Sequence, residues 1–129
     1  MTDVRQQALD ALLSFSRSAR VEGRAVEGFH RLGESPEDMG YGVKITLSVR
    51  HDPQSKSYRV QLSISEERYE GGFAASRHGF GMPSRELESH PATRFSAKAA
   101  SALYAQVLKQ LTADMSPLIS LLQEESERS

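Results

Sequence analysis

Two stretches in the middle of the chain alternate apolar and polar residues with a period of two. In Tyr41–Arg50, Val43, Ile45, Leu47 and Val49 share one phase, and Lys44, Thr46, Ser48 and Arg50 share the other. Ser57–Ser65 repeats the pattern, with Tyr58, Val60, Leu62 and Ile64 against Arg59, Gln61, Ser63 and Ser65. Successive side chains of a strand point to opposite faces, so the alternation predicts two strands, each with one buried and one solvated face. Between them, Asp52-Pro53-Gln54-Ser55 has the aspartate and proline that a type I turn favours at its first two positions. A hairpin closed there sets Val49 opposite Tyr58, Leu47 opposite Val60, Ile45 opposite Leu62 and Val43 opposite Ile64.

Further along, Gly71-Gly72 is a candidate two-residue turn, which makes Phe73–His78 a third strand. Glu66, Arg68 and Glu70 continue the phase of Ile64, and a core does not accept such charges unpaired. Either a bulge near Ser65-Glu66 resets the alternation, or the hairpin runs out beyond whatever covers its apolar face. Residues 80–93, with Gly81, Pro83 and Pro91, are expected to form a long loop.

The two ends carry the helical period. Val4, Ala8, Ala11, Leu12, Phe15 and Ala19 recur three or four residues apart, with Thr2 as N-cap and Asp3 in the first turn. Arg17 and Arg20 fall where the last turn of that helix favours cations. Leu9 and Leu13 widen its apolar arc beyond what one contact needs, so a second neighbour or a partner chain is expected on it. Residues 24–32 are open between a helix end and an edge strand. Ala100, Leu103, Tyr104, Val107, Leu108, Leu111 and Met115 define a second helix starting between Thr93 and Ser96. Ser116-Pro117 then reads as a cap followed by proline at the first helical position. The short helix it opens carries Leu118, Ile119, Leu121 and Leu122, and the polar residues 124–129 form a frayed tail.

These elements assemble into an α+β, two-layer domain. The N- and C-terminal helices cover one face of a three- or four-stranded antiparallel sheet, in the order α-β-β-β-α-α. At 129 residues the chain fits a single domain over residues 1–123, followed by its tail. The absence of cysteine excludes disulfides, thiolate metal sites and a thiol nucleophile. A net charge of −1 supplies no long-range attraction to nucleic acid or anionic lipid. The N-terminus lacks the basic-then-apolar run of a signal peptide, and no apolar stretch reaches membrane-spanning length, so a cytoplasmic location is expected.

Candidate chemistry concentrates on the polar phase of the hairpin. Lys44, Arg50 and Arg59 lie there among hydroxyls with no acid, a candidate platform for an anion, with His78 beside Ser65 and Arg77 on the other side of the third strand. This face shows no aromatic on which a base could stack, which disfavours nucleic acid. The glycine-rich run 71–81 does not have phosphate-loop spacing. His30, His51, His78 and His90 are not spaced as ligands on a helix, so neither a metal nor another cofactor is expected. His51, at a turn, and His90, before a proline, are expected to be exposed. Glu86, Glu88 and His90 would share a face if their segment were a strand, and they are the basis for an enzyme site in residues 71–93. Serines are abundant, but no nucleophile-elbow motif or triad order is present.

Three functions follow in order of preference. The first is a non-catalytic interaction module, self-associating or binding a protein partner through Leu9, Leu13, Leu118 and Leu122. The second is anion or nucleic-acid binding through Lys44, Arg50, Arg59, Arg77 and His78, and the third is the enzyme site. The segment Phe95–Leu103, with its alanines and Lys98, together with the order helix, three strands, helix, resembles double-stranded-RNA-binding domains. That resemblance implies phosphate contacts at the start of the last long helix. Here only Lys98 and nearby Arg94 stand where that family carries a lysine cluster, and the net charge and the segment 80–93 depart from its pattern.

Overall fold

The computed structural model describes residues 3–32, 41–70, 73–77 and 82–128. Helix α1 (Val4–Ser18) leads into strands β1 (Arg20–Glu22), β2 (Ala25–Leu32), β3 (Tyr41–Asp52), β4 (Ser57–Glu70), β5 (Phe73–Arg77) and β6 (Ser84–Pro91). Helices α2 (Ala97–Ala113) and α3 (Ser116–Arg128) follow. The strands form one antiparallel sheet in the order β1-β2-β3-β4. The far edge of β4 is shared, β6 pairing with Ser57–Ser63 and β5 with Glu66–Glu70. The α+β class and the antiparallel sheet agree with the sequence pattern, but the strands are more numerous than expected.

Of residues 24–32, Ala25–Leu32 form a strand rather than a helix end, paired with β3 along its length and with β1 on its other side over Ala25–Glu27. Arg20 therefore opens a strand instead of closing α1. Gly23 at φ 60° is the first of the two residues joining β1 to β2, a backbone region that glycine enters without steric cost. The N-cap of α1 is Asp3, whose carboxylate accepts from the Arg5 N–H at 3.0 Å. Thr2 lies outside the described residues.

The β3–β4 hairpin keeps the expected phase but sits two residues from the expected register. Val49 faces Val60, Leu47 faces Leu62, Ile45 faces Ile64, and His51 faces Tyr58. Asp52 pairs with Ser57, so the loop is Pro53–Lys56, with Lys56 left-handed at φ 50°. The Asp52 carboxylate accepts from the Ser55 hydroxyl and the Gln54 N–H, both at 3.0 Å. Those bonds, the hydroxyl's first, hold its ionisation below the usual aspartate value. Beyond Ser65 the pairing runs on without a bulge through Val43–Glu66 and Gly42–Glu67. Of the two expected solutions, the hairpin therefore takes the one that outruns its cover, and Glu66 is exposed. Glu70 pairs with Phe73, while Gly71 and Gly72 lie outside the described residues.

Much of the expected 80–93 loop is β6. Its alternation is hidden in the sequence because a bulge opposite Val60–Gln61 inserts Leu87 between the paired residues Glu86 and Glu88. The bulge also separates Glu86, in register with Gln61, from Glu88 and His90, in register with Val60 and Tyr58. The three do not share a face as the enzyme hypothesis required.

The helices cover the apolar face only. Helix α1 packs on β2, α2 on β2 and β3, and α3 on β4 and β6, while α1 also touches both other helices. Ile45, Leu47, Val49, Val60, Leu62 and Ile64 are buried beneath Phe15, Tyr104, Val107, Leu118 and Leu121. Closest approach falls at Gly28, where an added Cβ would lie 2.7 Å from the Phe15 carbonyl oxygen and 2.2 Å from the Tyr104 hydroxyl. That hydroxyl donates to the Phe15 carbonyl at 2.7 Å, and burial, then the Glu27 charge, raises the phenol's ionisation. Ser96 caps α2, accepting from the Ala99 N–H at 3.2 Å. Ser116, expected as the cap of α3, is its first residue, with Met115 before it accepting from the Ile119 N–H at 2.8 Å. Asp114, at the end of α2, accepts from the Ser116 N–H at 3.0 Å and from its hydroxyl at 2.6 Å. The expected frayed tail is helical through Arg128, and Glu124 pairs with Arg85 of β6. Among the described residues no helix is long and apolar enough to cross a membrane.

Candidate ligand-binding hollow on the open sheet face

The polar phases of β1 to β4 line up across the sheet face that the helices leave open. In register across the strands, one row holds Glu22, Ala25, Arg50 and Arg59, and the next holds Arg20, Glu27, Ser48, Gln61 and Glu86. The row after it, Phe29, Thr46, Ser63 and Ser84, carries no charge, and Arg31, Lys44 and Ser65 follow. Most of these residues, though not Ala25, Arg59, Ser84 or Glu86, line a hollow of about 550 Å³ in which small hydroxyls stand among long charged side chains. Ser48, Ser63 and Ser65 are buried although no layer covers this face. Ser48 is flanked in register by Glu27 and Gln61, and Ser65 by Lys44.

The expectation that this face holds no acid does not survive. Glu67, only 3 % exposed, sits at one end of the hollow with its carboxylate 3.0 Å from the Arg31 guanidinium and 3.7 Å from the Lys44 ammonium. Arg31 and Lys44 also lie 5.1 and 5.4 Å from the centre of the Phe29 ring, placing cations beside its π-face. An aromatic does line the hollow, half-buried Phe29, but it comes from β2 and not from the hairpin. Toward the other end, Arg20 pairs with Glu22 at 3.1 Å. Arg59 meets Glu86 through two hydrogen bonds of 3.2 and 2.9 Å. That bond and its charge lower the Glu86 carboxyl and raise the Arg59 guanidinium from their usual values. Arg50 stands directly across from Arg59, is exposed, and makes no ion pair with a described residue.

The structure thus brings Lys44, Arg50 and Arg59 onto one face. Arg77 pairs in register with Glu66, a position in the phase of Ile64, and His78 lies outside the described residues. Of the expected interface residues, Leu118 and Leu122 are buried in the core because α3 packs back on β4, β6 and α1. That leaves Leu9 at 45 % and Leu13 at 55 % exposure on α1, with Val21 of β1 also exposed. His51 is buried rather than exposed: it continues the apolar phase of β3, its Nε2 lies 2.8 Å from the Ala92 carbonyl, and its ring meets Tyr58 edge-on. His90, half-buried, bonds Glu88 at 2.8 Å.

Sequence reasoning missed Glu27, Phe29, Arg31 and Glu67. For Glu67 a signal was present, since extending the Ser63–Ser65 phase by two residues reaches it. For the other three it was weak, because Gly28 and His30 interrupt the apolar phase that would have marked β2. Among the described residues no group of three acidic or histidine side chains could hold a metal ion. No family model matches the chain, and no curated protein or solved structure matches it.

Proposed function

We propose that the protein is a binding module whose open sheet face receives a small polar ligand carrying a carboxylate or phosphate. Arg50 anchors the anionic group and the hydroxyls of Ser48, Thr46 and Ser63 contact the rest. The observation that carries this proposal is exposed Arg50, which makes no ion pair with a described residue and lines a hydroxyl-rich hollow of about 550 Å³, a volume within the usual range for small-molecule sites. Like charges directly opposite across a strand pair are unfavourable, and Glu86 compensates only Arg59 of the Arg50–Arg59 pair. An anion between the two guanidinia would relieve the repulsion and accept the forked N–H donors that arginine offers. A duplex nucleic acid is a poorer occupant, because Arg20, Arg31, Lys44 and Arg59 are already paired with Glu22, Glu67 and Glu86. The six-stranded order also departs from the helix, three strands, helix order on which the likeness to double-stranded-RNA-binding domains stood.

The test is a two-dimensional amide NMR titration with inorganic phosphate at low ionic strength. Saturable shifts are expected at Ser48, Arg50, Arg59 and Gln61, and Arg50→Gln should abolish them while leaving the rest of the spectrum in place. No shift at these residues, or equal shifts in the variant, overturns the proposal. A second proposal, self-association, is supported by the exposed Leu9, Leu13 and Val21. It predicts a dimer at micromolar concentration that Leu13→Lys converts to monomer.

A further inference from the structure

On the helix-covered side of β2, the stripe Asp10, Ser14, Ser18 of α1 runs at four-residue spacing, one side of a helix. Ser14 Oγ lies 2.8 Å from His30 Nδ1. The Ser18 hydroxyl bonds the β2 backbone instead, accepting from the Phe29 N–H at 2.9 Å and lying 3.2 Å from its carbonyl. This fixes the helix end against the strand and so sets Ser14 against His30. Both groups are half-buried and line a shallow, open surface depression of about 340 Å³ shared with Arg17, Ser18, Phe29 and Arg31.

A hydroxyl within hydrogen-bond reach of an imidazole, both lining a depression open to solvent, is the geometry of a nucleophile with its general base. We propose that Ser14 and His30 form a nucleophilic site for small anionic esters. Ser14 Oγ attacks the ester carbonyl carbon while its proton passes to His30 Nδ1. The acyl–oxygen bond then breaks, and that proton leaves with the alcohol. A water molecule, deprotonated by the same nitrogen, releases the acid and restores the Ser14 hydroxyl. Arg31 is held by Glu67, whereas exposed Arg17 makes no ion pair with a described residue and is the cation on this wall free to face an anionic substrate or the developing oxyanion. Burial lowers the ionisation of His30, partly offset by Asp10, so the imidazole is a neutral acceptor near pH 7.

A merely structural hydrogen bond between α1 and β2 would give the same contact without reactivity, so the test reads reactivity. The full chain is incubated with the mono-para-nitrophenyl ester of succinic acid, nitrophenolate release is followed, and the acylated peptide is mapped by mass spectrometry. Acylation is expected on Ser14, slowed at least about a hundredfold in Ser14→Ala and His30→Gln, in keeping with the usual contribution of a general base. In the unmodified chain the rate should rise with pH as His30 loses its proton. Ser14→Cys should retain acylation at that position. Should a variant fail to fold, mapping on the unmodified chain decides alone, since acyl groups found on lysines or the N-terminus but not on Ser14 overturn the inference. The hollow shares Phe29 and Arg31 with this depression but neither group tested, so each proposal can fail without the other.

Discussion

Gly28 is where the two layers come closest, and replacing it with alanine tests the packing directly. Its backbone is not left-handed, so alanine meets no conformational penalty there and the cost is steric. The new methyl would stand 2.2 Å from the Tyr104 hydroxyl, 2.7 Å from the Phe15 carbonyl oxygen and 3.1 Å from Phe15 Cα. The first of these can be relieved by moving a side-chain end, but doing so breaks the buried 2.7 Å hydrogen bond from Tyr104 to Phe15. The other two are backbone and yield only if α1 shifts off β2. Over-packing of this kind costs about 1–3 kcal/mol, and leaving the buried hydroxyl or carbonyl unpaired adds about 1–3 kcal/mol. A total loss of roughly 2–6 kcal/mol is therefore expected, a large part of the stability of an ordinary domain. Urea unfolding followed by tyrosine fluorescence measures it, as a lower midpoint with an unchanged slope. Tyr104→Phe removes only the hydroxyl and should cost about 1 kcal/mol. Because Tyr104→Phe also removes one of the clashes, the double variant should lose less than the sum of the two single losses. If Gly28→Ala unfolds within about 0.5 kcal/mol of the unmodified chain, the close crossing of α1 over β2 is wrong.

Glu67→Gln keeps the shape of a buried side chain but removes the charge that Arg31 and Lys44 share; a loss of about 1.5–3 kcal/mol is expected from the charge-assisted bonds, and a midpoint shift of a few tenths molar urea or less would show Glu67 to be solvated. Stability should also fall with acidity through His30, whose ionisation is lowered by burial. The unfolded chain then binds the proton first, so this contribution is complete above the ordinary value of 6.5 and is lost as pH falls toward the lower folded value. Thermal melts between about pH 7 and pH 5 should show a drop in midpoint that His30→Gln makes shallower, and equal drops in both proteins would assign the loss elsewhere.

The sheet was legible where alternation was clean, and only up to what alternation can encode. Val43–Val49 and Tyr58–Ile64 lie in the core as their phase required. Yet a shift of two residues between strands leaves every side chain on its own face, so the pattern could not separate the expected register from the observed one. The turn decided it, through a left-handed Lys56 that the sequence does not announce. β2 was obscured because two of its inward positions are Gly28 and His30, which look polar or neutral in a hydropathy pattern. Both residues are explained by their partners: Gly28 admits the Tyr104 hydroxyl and the α1 backbone, and His30 bonds Ser14. β6 was hidden by a single inserted residue at its bulge.

The candidate site was half legible for the same reason. Lys44, Arg50 and Arg59 could be placed on one face from the hairpin alone, but what each cation does depends on neighbours that β2 and β6 supply. Lys44 and Arg59 looked equivalent to Arg50 in the sequence. Glu67, two residues past the recognised strand, divides its charge between Arg31 and Lys44, and Glu86, on an unrecognised one, pairs with Arg59. What distinguishes Arg50 is its row, in which the adjoining β2 position is Ala25 and the β4 position is another arginine. That it has no ion-pair partner among the described residues is therefore a property of the assembled sheet and not of the strand that carries it. The same logic makes Glu86→Gln informative: releasing Arg59 from its partner places two uncompensated guanidinia across one strand pair, which should tighten phosphate binding at Arg50 while weakening the fold.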